Sequence, residues 1–385
     1  MTQRIRFRLL ICLLVFIHAN CLSGFAQDTI RYYSNLNVST NRDLRSAIDL
    51  YGKYIDARTS GNINYNEFWK ESEVAKYQIP DLASHYILPK EYMAILGLAK
   101  LDSNRFLLKT AGFMGPPEEG GQEMMYLYNY IVHKHNGVYR LGNYLDYTME
   151  KKKYRVTNGM YGTYISFSEH DKQAIDSLFK DLEVFFSTEF NRKFTIFNFA
   201  SNIESLTSRG YDYLVGSLNS KATVSGLFNL PNNIMYTTSA GALHTHELLR
   251  SLHTLLPKSP VILRNGIANL CGGSLGLPIE ENIRLIYPYL LKHKDVLNDL
   301  ERFYYYDDQV VPHAVFTAIV ANYYLKTLGL ESFRQLMKSE DLTEISLEEF
   351  ISRFFKIDDI PSFLMAEMEL YLEEDLEYSD LFMAR

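Results

Sequence analysis

The stretch His244 to His253, H-T-H-E-L-L-R-S-L-H, sets down most of a zinc-binding helix and breaks it at the metal. The signature His-Glu-x-x-His works because residues four apart share a helical face. Two imidazoles can then grip one ion, with the glutamate beside them as general base. His246 and Glu247 begin the pattern, and its second histidine falls due at position 250, which is Arg250.

The segment Ile262 to Gly276, I-L-R-N-G-I-A-N-L-C-G-G-S-L-G, is a second near-match with a changed ligand. Around these two segments the chain resembles the gluzincin, or MA-like, metallopeptidases. In that family a second helix gives the third ligand as the glutamate of a Glu-Gly-hydrophobic-Ala phrase, and the phrase here is Asn265-Gly266-Ile267-Ala268. The resemblance implies that His246 holds the first ligand position, Glu247 the general-base position, Arg250 the second ligand position and Asn265 the third. It covers residues 158 to 385 and takes in an apolar helix, Ala314 to Gly329, followed by a short one, Glu331 to Met337. His313 stands just ahead, near where some members place a Tyr or His that steadies the oxyanion.

A catalytic zinc site needs three donors and keeps a fourth position for a water whose pKa falls to about 7. Arg250 has no lone pair to give and fixes a positive charge where a dication would sit. Asn265 offers only a neutral amide oxygen, a poor ligand for zinc. Glu247 is therefore expected to pair with Arg250, three residues along the same helix. His253 shares a face with His246 but stands roughly 10 Å away along a continuous helix at ~1.5 Å per residue. His244, two residues before His246, points to another side. A zinc set rebuilt from His244, His246, Glu247 and His253 is the alternative.

Strand and helix periodicities place these motifs. Tyr161 to Phe167 reads as a strand, and Asp171 to Phe190 as a helix with Ile175, Leu178, Leu182 and Phe185 on one side. Lys193 to Phe199 reads as a strand, and Val224 to Thr238 as a hairpin around Pro231-Asn232-Asn233 leading into the His246 helix. This order is similar to the gluzincin catalytic layout.

Arg4, Arg6 and Arg8 precede the apolar run Leu9 to Ile17, and small residues at Gly24 and Ala26 suit cleavage before Gln27. Residues 1 to 26 thus read as an export signal. The residues before Cys21 do not suit lipidation, so a soluble exported form is expected, in the periplasm, at the cell surface or secreted. Cleavage removes three arginines and no acids, taking the formal charge from -7 to -10. So acidic a chain argues against nucleic-acid binding. Of three cysteines only Cys271 follows the signal, which leaves no internal disulfide. Its apolar and glycine neighbours mark a packed thiol.

Residues 27 to 155 form the first domain and 156 to 385 the second, for an α+β protein overall. In the first, Ser39-Thr40-Asn41 can cap a helix striped with Leu44, Ala47, Ile48, Tyr51 and Ile55. An irregular helical stretch, Tyr65 to Tyr77, precedes strands Met93 to Leu101, Arg105 to Phe113, Met124 to Lys134 and Val138 to Thr148. Asn136-Gly137 marks a hairpin. A helix against a curved antiparallel sheet is expected, resembling the nuclear transport factor two or cystatin type of roll. Tyr126, Tyr128 and Tyr130 share one strand face and either line a pocket or pack the core.

Two functions follow. The first is an inactive metallopeptidase-like module that takes an extended peptide or protein partner onto its hairpin edge by strand addition, with no cofactor. The alternative is a zinc-dependent peptidase or other hydrolase with a non-standard ligand set.

Overall fold

A computed structural model describes residues 32–34, 41–61, 63–82, 91–114, 123–166, 168–214, 227–229, 232–238, 245–275, 277–300, 303, 310–339, 342 and 344–373. The expected export signal with Cys21, and His244, lie outside them. The fold is α+β, and the chain divides into two compact units. Among the described residues no helix is long and apolar enough to cross a membrane.

The first unit opens with β1 (Tyr32–Ser34) and α1 (Arg42–Thr59). Asn41 caps α1, its side chain accepting from the N–H groups of Asp43 and Leu44. Short helices α2 (Tyr65–Phe68) and α3 (Glu71–Tyr77) follow. Then come β2 (Glu91–Lys100), β3 (Arg105–Met114), β4 (Glu123–His135) and β5 (Val138–Gly142). β2 to β5 pair antiparallel in sequence order, with β1 parallel to β2 at the edge. Asn136 and Gly137 both take positive φ, 50° and 78°, the geometry that lets a two-residue turn match strand twist.

The strand expected over Val138 to Thr148 is shorter. It stops at Gly142, and Asn143 caps α4 (Tyr144–Lys152) by accepting from the Leu145 N–H at 2.7 Å. The capping side chain overrides a run that alternates acceptably as strand.

The chain then enters the second unit through β6 (Val156–Asn158), β7 (Gly162–Ile165), α5 (Glu169–Phe186) and β8 (Phe194–Asn198). Ser168 and Asp171 form a reciprocal capping box that starts α5 two residues before the expected Asp171, and the helix ends at Phe186, short of the expected Phe190. Residues 202–214 next return to the first unit. There α6 (Asn202–Arg209) leads to β9 (Tyr211–Leu214), which lies antiparallel on the edge of β4 beside Tyr126 to Tyr128. The division at 155/156 in the sequence does not anticipate this excursion.

Back in the second unit, β10 (Leu227–Asn229) and β11 (Ile234–Thr237) form the expected hairpin. The sheet order is β10-β11-β8-β7-β6, parallel at its centre and antiparallel at both ends. The rest of the described unit is helical: α7 (Thr245–Leu249), α8 (Leu252–Leu255), α9 (Val261–Gly272), α10 (Ile279–Lys292), a 3-10 turn, α11 (Pro312–Met337), α12 (Leu347–Phe355) and α13 (Ile360–Glu373). Gly329, with φ 79°, breaks α11 at the expected glycine stop. One core joins α5, the sheet and these helices.

In the first unit the even residues of β4 face α1. Tyr126, Tyr128 and Tyr130 are fully buried there, and the Tyr128 ring lies 4.7 Å from Tyr130 and 4.8 Å from Tyr211. Their face is packed rather than open. Beneath it Asp81, also fully buried, accepts from Tyr54 at 2.5 Å, Tyr130 at 3.2 Å and Arg58 at 3.1 Å. This satisfies a charge that would be costly if unpaired.

Candidate functional site

The motif residues lie on α7 to α9. The sequence predicts one helix running through His246, Arg250 and His253, but the helix is interrupted. α7 ends at Leu249, and the N–H groups of Ser251 and His253 reach back three residues, to Leu248 and Arg250, instead of four. The tighter turn changes the direction of everything after Leu249, so the roughly 10 Å spacing of a continuous helix does not apply to His246 and His253.

Each motif side chain has a partner within the chain. The His246 Nδ1 lies 2.8 Å from the Gly273 carbonyl, which accepts from it, and the Ala268 carbonyl also faces the ring. Burial holds this imidazole below its ordinary range; Glu247 opposes that shift and Arg250 adds to it. The backbone of His246 comes close to α9 because the facing residue is glycine. A Cβ on Gly272 would stand 2.2 Å from the His246 backbone nitrogen.

Glu247 is 5% exposed, and the guanidinium of Arg250 approaches it to 4.0 Å, the expected i, i+3 pair. At that length the contact is an ion pair without a hydrogen bond, and Glu247 Oε2 has no hydrogen-bond partner. Asn265 is engaged elsewhere: its Oδ1 lies 2.9 Å from His253 Nε2. The third ligand position thus meets the histidine that was the spare donor of a rebuilt zinc set.

Sequence reasoning missed Arg264. It is buried, and its Nη1 donates to the carbonyls of His253, Leu256 and Pro257 at 3.4, 3.2 and 3.1 Å. Burial alone holds it down to about 10. By tying the end of α8 to α9, Arg264 fixes the backbone that presents His253 to Asn265. Its only sequence signal is a charge in an otherwise apolar run. Asn269, one turn beyond Asn265, donates to Thr317 of α11 at 3.1 Å. His313 opens α11, where burial lowers its imidazole against the opposing effect of Glu348 on α12. Cys271 packs against the core, and burial pushes its thiol up to about 12, far from a nucleophile's range.

These residues do not fit a catalytic zinc. The His246 ring faces the backbone carbonyls of Gly273 and Ala268, Arg250 is a cation without a lone pair, and the amide of Asn265 is shared with His253. Among the described residues no three His, Cys, Asp or Glu side chains are grouped to hold a metal ion. Compared with protein-family models and with curated proteins, the chain matches none.

Proposed function

We propose that the second unit is a metallopeptidase-like scaffold of the gluzincin type whose reaction has been lost, and that it binds an extended peptide or protein segment without cleaving it. In this reading the chain is exported, and its first unit is a roll of the nuclear transport factor two or cystatin type. One observation carries it: the general-base position, Glu247, has for its neighbour the guanidinium of Arg250 at 4.0 Å, where a metal-bound water would have to form. The ligand edge is β10. Among the described residues its one ladder partner is β11, the strand that α7 packs against, so its outer edge offers unpaired backbone donors and acceptors.

In an antiparallel ladder alternate residues turn their N–H groups to opposite sides. Leu227→Pro and Phe228→Pro therefore differ: one removes a bond to β11, and the other removes an outward donor while the hairpin stays paired. The test is binding of a degenerate extended-peptide library to the purified chain, read with both proline variants. We expect one folded variant to lose peptide binding by tenfold or more, about 1.4 kcal/mol. Equal binding in both folded variants would remove β10 as the ligand edge. About one zinc per chain, lost with peptide hydrolysis in His246→Ala, would replace this reading by an active enzyme.

A further inference from the structure

The first unit carries a concentration of positive charge that the proposed peptide site does not use. At the hairpin end of its sheet an open cleft of about 950 Å³ is lined by Lys70, Arg105, His133, Lys134 and Arg140, with Asp102 as its one acid. The chain as a whole has a net charge of -7. The register explains the convergence. Arg105 on β3 stands directly opposite His133 on β4, and His133 directly opposite Arg140 on β5. Directly opposed residues share a sheet face, so three basic side chains form one row with about 4.8 Å between neighbours. Lys70 extends it, since its N–H donates to the Leu141 carbonyl on the far edge of β5 at 3.0 Å.

Like charges in one cross-strand row are unfavourable unless something neutralises them. Part of the positive charge around the cleft is neutralised. Arg105 meets Asp102 and Glu150 at 2.7 Å each, and Lys134 meets Asp43 at 2.9 Å. Arg140 is different: among the described residues its Nη1 donates to the carbonyl of Tyr139, at 3.0 Å, and meets no carboxylate. Lys70 approaches Glu73 at 3.5 Å, but burial raises that carboxyl to about 7, so it compensates only part of the charge near neutral pH. Between Arg105 and Arg140, His133 is held down to about 4 by burial and by Lys70 and Arg105, so it is uncharged near pH 7 and supplies one N–H.

We propose that this cleft is a binding site for a tetrahedral oxyanion, a phosphate or sulfate group, held by Arg140 and Lys70 with His133 donating from the far side of Arg140. Donors that reach in from three neighbouring segments suit a group with oxygens on several sides better than a planar carboxylate. Charge-assisted bonds from guanidinium and ammonium supply the affinity.

The test is titration of the full chain with inorganic phosphate, sulfate and, as the planar control, acetate, at low ionic strength and pH 7. Binding is read from heat of binding and from the chemical shifts of the His133 ring. We expect saturable binding of phosphate or sulfate, at least tenfold tighter than acetate, and about tenfold weaker in Arg140→Gln and in Lys70→Gln. Arg140→Lys, which keeps the charge, is expected to retain part of it and serves where Arg140→Gln unfolds. Acetate binding as tightly as phosphate would overturn the ligand class. Absence of saturable binding, or binding undiminished in folded Arg140→Gln and Lys70→Gln, would overturn the site.

Discussion

Glu73 shows how a single buried carboxyl can make the fold sensitive to pH near neutrality. Its Oε2 accepts from the Asn143 N–H at 2.5 Å, which anchors the start of α4. Burial, reinforced by Asp146, raises it from an ordinary 4.5 to about 7. A carboxyl raised in the folded state favours the protonated fold, so its contribution is present below 4.5 and is lost as pH rises through 7. Between pH 6 and 8 the loss is about 1 kcal/mol. His133, held down to about 4, acts in the opposite sense and below this window: its contribution is lost as pH falls from 6.5 towards 4. We expect Glu73→Gln, which keeps an oxygen for the Asn143 N–H, to flatten the fall in urea-unfolding free energy from pH 6 to 8. An unchanged slope would show that another group carries it.

At the scale of elements, the crossing of α9 and α11 depends on Gly266 of the Asn265-Gly266-Ile267-Ala268 phrase. A Cβ there would stand 2.4 Å from the Thr317 carbonyl oxygen and 2.8 Å from the Ala321 Cβ. Alanine is the better helix former by up to about 1 kcal/mol, but forcing two helix backbones apart costs about 1–3 kcal/mol. The clash wins, and Gly266→Ala is expected to lower the urea midpoint with no change in slope. A raised midpoint would contradict this packing. The phrase and its glycine were legible in the sequence, as were the Asn136-Gly137 turn, the α5 stripe and the break at Gly329, because each is encoded within a few neighbouring residues. Where a local signal competed with periodicity, as at Asn143, the cap prevailed. The contact of His253 with Asn265, the anchoring by Arg264 and the basic row of Arg105, His133 and Arg140 join separate elements. They depend on crossing geometry and strand register, which periodicity does not supply.

At the scale of the molecule, the return of residues 202–214 makes the first unit discontinuous in sequence. Tyr211 is buried there among Tyr126 and Tyr128 and donates to the Leu82 carbonyl at 3.0 Å, while Asn129 donates to the Gly210 carbonyl through its backbone N–H at 2.8 Å and its side chain at 3.1 Å. Replacing 202–214 by a Gly/Ser linker removes a strand and a buried ring. We expect it to destabilise the first unit by more than about 3 kcal/mol, seen as lost amide-exchange protection in β4 while α9 and α11 stay protected. Equal loss in both would mean that the excursion supports the whole chain. The same threading bears on how the protein withstands damage. A single proteolytic nick after Tyr154 severs the backbone without freeing either piece, because the downstream fragment still contributes β9 to a sheet built by the upstream one. Such a protein would run as two bands under denaturing conditions and as one species in native buffer.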